Sequence, residues 1–233
     1  MRNLRAAALS AMMFVAVAVP AFGAVIVNSA NTGYNFTVDY VGQVGGNTTP
    51  QVSALGTFTF NGVTNGGLTY NFGYSLNNDS TTTARLSGFA FNTNPNPTGA
   101  AVTGAFNNSG LSGNYPEGYS TVDVCFTDGG GSCAGGGNGG FYNGSTGTGT
   151  FALSFAQVME SVSFDSFVTR FQSINGVAGG TSGIGIGSVV QGGGAPITAP
   201  EPGTWLMMLV GFGLVGFTLR GRRGSFQPAL QAA

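Results

Sequence analysis

The chain has 233 residues, of which 6% are charged, and it contains neither histidine nor lysine; ordinary soluble domains are about 25% charged. Between Ala24 and Ala199 two arginines, Arg85 and Arg170, stand against seven carboxylates. Nothing there can neutralise a row of phosphates, so nucleic acid is not an expected partner, and chemistry that needs a histidine base or a lysine nucleophile has no residue to carry it.

Met1 to Gly23 reads as a secretory leader. Arg2 and Arg5 give a positive start, Ala6 to Val19 an apolar core, and Ala21-Phe22-Gly23 a small-x-small cleavage pattern that makes Ala24 the mature N-terminus. The alternative is an uncleaved N-terminal anchor, for which the apolar core is short. A leader of this kind implies the secretion translocon and signal peptidase as partners, and an exported body.

Residues 24–195 form the body. Glycine is abundant, at 42 of 233 residues, yet 12% of the chain is aromatic, and those aromatics recur at period two, which argues for packed strands over disorder. Tyr34, Phe36, Val38 and Tyr40 share one face of a strand, with Asn35, Thr37 and Asp39 opposite. Leu55 to Phe60 is a second candidate, closed by an Asn61-Gly62 turn. Leu68, Tyr70, Phe72, Tyr74 and Leu76 give the cleanest alternation, and Asn65-Gly66 ahead of them is a hairpin signal. Further strands are expected at Arg85–Asn92, Val102–Phe106, Thr121–Thr127, Thr148–Ala156, Ser161–Phe171 and Ile184–Val190. Short strands at this spacing, parted by Asn, Gly, Pro and Ser, predict an all-β fold: an antiparallel β-sandwich of jelly-roll type. The polar faces carry Asn, Thr and Ser instead of Lys and Glu. Such faces suit a hydrated polysaccharide matrix, or strand edges meant to self-associate.

Cys125 and Cys133 are the two cysteines of the chain. In an exported protein they read as a disulfide closing a small loop, worth about 2–3 kcal/mol by loop-closure entropy. A thiol nucleophile would lack a histidine base, and two cysteines do not make a zinc site. Asp123 and Asp128 flank Cys125, where calcium ligands and solvated loop carboxylates are both open readings. Glu160 and Asp165 are the pair a glycosidase would need, but sequence spacing does not place them across a cleft. Arg170 is expected to pair with Asp165 or another acid, and Tyr115, Tyr119 and Tyr142 are candidate stacking platforms for a glycan. No catalytic residue, metal site or cofactor is assigned. The Asn-x-Ser/Thr triplets at Asn35, Asn47, Asn78, Asn107 and Asn143 reflect composition more than glycan acceptors.

Residues 196–233 form a tail in three parts. Pro200-Glu201-Pro202 stays extended, because proline fixes φ and bars helix at the residue before it. Gly203 to Leu219 carries no charge and gives roughly 25 Å of helix, a short single span expected at about 204–219. Trp205 suits one membrane interface; Arg220, Arg222 and Arg223 suit the cytoplasmic one. Gly211-x-Gly213-x-x-Gly216 matches the dinucleotide fingerprint in letters only, since no strand precedes it; small residues in a membrane helix serve close packing.

In these residues the tail resembles the sorting signal of PEP-CTERM proteins of Gram-negative bacteria. Gly221 interrupts the arginines and Gly224 to Ala233 trail beyond them. The resemblance implies that exosortase, an integral-membrane cysteine protease or transpeptidase, reads the tail after transient anchoring in the inner membrane. It implies delivery to the cell surface or to an exopolysaccharide or biofilm matrix. The Cys-loop-Cys segment, the glycines after it and Phe167 to Ile174 resemble a PEP-CTERM body type, the cistern family, for which no activity is implied. The expected function is therefore non-catalytic: an exported exosortase substrate. A glycan-binding β-sandwich module and an unprocessed single-pass anchored protein stand as alternatives.

Overall fold

The computed structural model describes residues 24–129, 133–134, 139–190 and 210–212. The chain divides into two units, Met1–Gln191 and Gly192–Ala233. The leader falls outside the described residues, as does the tail apart from 210–212.

The described residues of the first unit are all-β apart from two one-turn 3-10 segments. Its strands are β1 Val25–Val27, β2 Asn35–Val44, β3 Asn47–Thr64, β4 Thr69–Asn77, β5 Thr83–Asn94, β6 Gly99–Gly104, β7 Asn108–Asn114, β8 Thr121–Thr127, β9 Phe141–Tyr142, β10 Thr146–Ser154, β11 Val162–Asn175 and β12 Ser182–Val190. Every pairing among them is antiparallel. They make one sheet, ordered β6-β10-β4-β3-β2-β12-β11-β5-β8-β7, with β1 added to β11 and β9 to β5.

This corrects the expectation of a jelly-roll sandwich built from separate sheets. A single sheet is folded over until its two walls face each other, and rings meet across the interior. Phe72 on β4 lies 5.2 Å from Phe164 on β11, and Phe151 on β10 lies 5.0 Å from Phe126 on β8. The two ends of the sheet almost meet. Between β6 and β7, the Ser109 hydroxyl donates to the Ala100 carbonyl at 2.7 Å. The link joining them is tied to both walls, Ala105 N–H donating to Thr148 O and Asn107 N–H to Thr127 O. Near closure hides most backbone edges, which is how antiparallel folds limit edge-to-edge pairing.

The period-two reading sets the inward face. Along β2 the buried residues are Phe36, Val38, Tyr40, Gly42 and Val44, and along β4 they are Tyr70, Phe72, Tyr74 and Leu76. At β12 the pattern inverts, because Gly183, Gly185 and Gly187 occupy the inward positions. A Cβ at Gly187 would lie 2.7 Å from both Phe167 Cβ and Val38 Cγ1. Only glycine lets this strand close the wall against such large neighbours.

Several boundaries moved. Asn65-Gly66 forms the β3–β4 connection, a one-turn 3-10 segment. Asn61-Gly62 is not a turn but an irregularity inside β3, where the register with β4 slips between Phe60 and Gly62. β6 ends at Gly104, so Phe106 is buried beyond the strand rather than in it. Three strands, β1, β7 and β9, carry no alternation long enough to be read. In β7 the reason is specific. Gly110 and Gly113 lie against the disulfide, and a Cβ at Gly113 would meet Cys133 Sγ at 2.2 Å.

Candidate functional site

On the outer surface of the sheet a second buried cluster joins Ala90, Tyr115, Val122, Cys125, Cys133, Val168 and Ile184. Alternation produces it: Ala90 lies between the inward Phe89 and Phe91, and Cys125 between the inward Val124 and Phe126. The cluster is roofed by the segment between β7 and β8, which runs from Tyr115 to Ser120. Cys125 and Cys133 are disulfide-bonded, with Cα atoms 5.4 Å apart.

Polar ties hold this roof down. Arg170 Nη1 lies 3.5 Å from Glu117 Oε1 and donates to Gly183 O at 2.9 Å, while its Nε donates to Ala134 O at 3.2 Å. The Ser182 hydroxyl donates to Glu117 Oε1 at 2.8 Å. Tyr119 OH donates to Ser166 O at 3.2 Å, and the Tyr115 and Tyr119 rings meet edge to face at 6.2 Å. Arg170 therefore pairs with Glu117, not with Asp165. It joins the roof, the disulfide loop and β12 at one guanidinium, a geometry that suits the planar fork of arginine.

Burial raises the phenol pKa of Tyr115, and raises that of Tyr40 well above its usual range. The hydroxyls of both lie buried without a hydrogen-bond partner among the described residues. Tyr115 is 3% exposed and Tyr119 is half-buried, whereas Tyr142 is 50% exposed. Of the three proposed stacking platforms, Tyr142 alone presents an open ring. Beside the roof is a cavity of about 370 Å³ lined by Gln43, Tyr119, Ser166, Ile186 and Gly187.

Three of the carboxylates singled out above accept hydrogen bonds within the fold. Asp123 accepts from Thr93 N–H at 2.9 Å and Asp128 from Gly140 N–H at 2.8 Å. Among the described residues there is no group of three or more His, Cys, Asp or Glu able to hold a metal ion. Glu160 precedes β11, and Asp165 on β11 accepts from the Ser166 hydroxyl at 2.8 Å. The outer wall carries rows of neutral hydrogen-bonding groups. Thr103 and Thr150 hydroxyls meet at 2.9 Å, Thr146 donates to Asn77 at 3.2 Å, and Asn71 donates to Thr64 at 2.9 Å. The sequence pattern announced these rows; it did not announce the Glu117–Arg170 pair, whose partners lie 53 positions apart.

The sorting residues Pro200, Glu201, Pro202, Trp205, Arg220, Arg222 and Arg223 lie outside the described residues. Within the expected span, 210–212 are helical, with Val210 and Phe212 exposed. No helix among the described residues is long and apolar enough to cross a membrane.

Comparison with known proteins places the tail. Residues 198–223 match the PEP-CTERM protein-sorting motif. The chain thus joins an all-β body to a tail that matches a protein-sorting motif, and that motif implies export toward the cell surface with exosortase as processing partner. No curated protein and no solved structure matches the chain.

Proposed function

We propose that the protein is a non-catalytic exported component of the cell surface or exopolysaccharide matrix, released there by exosortase. The observation that carries this reading is the sorting motif at 198–223, which follows a body that holds few charges. Signal peptidase frees Ala24 after translocation. The uncharged run to Leu219 holds the chain in the inner membrane, and Arg220, Arg222 and Arg223 arrest it with the C-terminus in the cytoplasm. Pro200-Glu201-Pro202 presents the processing site to exosortase. The test is intact-mass analysis of the protein from medium and membranes, with exosortase present and deleted. A shorter secreted form ending near Pro200 to Pro202, lost on deletion, is the expected result. A membrane form retaining Leu206 to Arg223 in both strains would replace this reading with that of a permanently anchored protein.

The neutral outer rows favour a second reading, in which the body binds a glycan of that matrix. Threonine, serine and asparagine exchange hydrogen bonds with sugar hydroxyls without the desolvation cost of a charge, and Tyr142 adds an exposed ring. Affinity electrophoresis through native exopolysaccharide separates the readings, since retardation that Tyr142→Ala weakens marks a binder and unaltered mobility an inert matrix protein.

A further inference from the structure

One edge of β11 is covered by two different partners. β1 pairs with Val162 to Phe164, and β12 pairs with Val168 to Gln172. Residues 165–167 lie between them, at a register irregularity where Ser166 takes φ 53°. Val25 sits opposite Phe164, so one step further in this antiparallel register Ala24 falls opposite Asp165. Three steps beyond that is Val168, already paired to Ile186. The ladder has room for a chain that starts at Ala24 and little room for one that continues.

The charges around Asp165 make this juxtaposition informative. The body has two guanidinium groups, and Arg170 is committed to Glu117, Gly183 O and Ala134 O, while Arg85 Nη2 donates to Gln172 Oε1. The chain has no lysine and no histidine. Asp165 meets the Ser166 hydroxyl and faces neutral Asn92 on β5. Tyr119 approaches through its bond to Ser166 O. Of the nearby acids, Asp123 is engaged by Thr93 N–H, and Glu160 precedes β11.

We propose that removal of the leader creates the cation this carboxylate lacks: the Ala24 α-ammonium pairs with Asp165 and closes the edge of β11 between β1 and β12. The inference rests on the leader reading above. Hydrolysis adds water across the Gly23–Ala24 amide; the leader departs with the new carboxylate and the body keeps the amine, protonated at neutral pH. The precursor has an uncharged amide at this place, so the pair belongs to the matured chain alone. It pins the free end of a three-residue strand whose Val25 and Val27 are buried in the core.

The absence of lysine supplies the test, because after maturation the α-amine is the only primary amine in the protein. The exported protein is acetylated with an N-hydroxysuccinimide ester between pH 6 and pH 9, and the rate is followed by intact mass. Asp165→Asn is expected to lower the apparent pKa of the amine and to speed acetylation at pH 7 by about two- to fivefold, the size set by a partly exposed ion pair. Ser166→Ala should leave the amine's profile close to wild type. A mature Ala24 chain whose profile ignores Asp165→Asn overturns the pair and leaves the leader reading intact. A mass that begins at another residue overturns both. If Asp165→Asn does not fold, the wild-type amine decides: a pKa above the ordinary range of about 7.7–8.0 supports the pair, and a value within that range overturns it.

Discussion

The inner core and the outer cluster are two solutions to burial in one molecule. Inside, strands already fixed by ladders bring rings together, and Phe89 packs among Phe58, Tyr74, Phe106, Phe126 and Phe151 with centroids 5.0–5.9 Å away. Outside, the segment from Tyr115 to Ser120 has no ladder along its length to position it. It is held by a disulfide-braced base, an ion pair and a few directed hydrogen bonds. Apolar area suffices where backbone pairing has set the geometry, whereas a roof of loop needs ties that specify place.

Substitutions should separate the two regimes. Phe89→Ala, which empties the middle of the ring cluster, should cost the most, about 3–5 kcal/mol, read as a loss of denaturation midpoint at unchanged slope. Replacing Cys125 and Cys133 together by serine should cost less, about 2–3 kcal/mol by loop-closure entropy. It should loosen the roof first, seen as faster hydrogen exchange at Tyr115 to Ser120 than in β3 or β4. A global loss equal to that of Phe89→Ala would erase the distinction.

Alkali should act on both regions through their buried phenols. Tyr40 and Tyr115 have folded pKa values raised by burial, so their neutral forms favour the native state. Their contribution is complete below the ordinary phenol value of about 10 and is withdrawn as pH rises above it, since the unfolded chain ionises first. Stability measured from pH 8 to pH 12 should fall beyond pH 10, and fall less steeply in Tyr40→Phe. The smallest effect belongs to Glu117→Gln, about 1 kcal/mol or less for a partly exposed pair. Its signature is local: proteolytic nicking between Tyr115 and Ser120 with the denaturation midpoint scarcely moved.

Much of the inner core was legible, because its faces obey period two: Phe36-Val38-Tyr40 and Tyr70-Phe72-Tyr74 can be read without knowing their partners. The wrapping of one sheet was not, since strand order depends on pairs such as β2–β12 that lie more than a hundred residues apart and leave no local mark. β7 escaped because its packing partner is sulfur, which calls for glycine where a readable strand would carry an apolar side chain. At the outer site the disulfide could be inferred from two cysteines in an exported chain. The roles of Tyr115 and Tyr119 could not, because exposure in a loop is decided by what folds over it.

The last strand of the body is not an edge. β12 runs between β2 and β11, paired from Ile184 to Val190 on one flank and from Ser182 to Ile186 on the other, and the chain leaves it toward the tail. A pull directed along this strand would load its hydrogen bonds to β2 and, up to Ile186, those to β11 as well, so that they share the force together instead of parting one after another. Drag directed along β12 in flowing or swelling surroundings would meet the sheet in shear, the direction in which a sheet yields last.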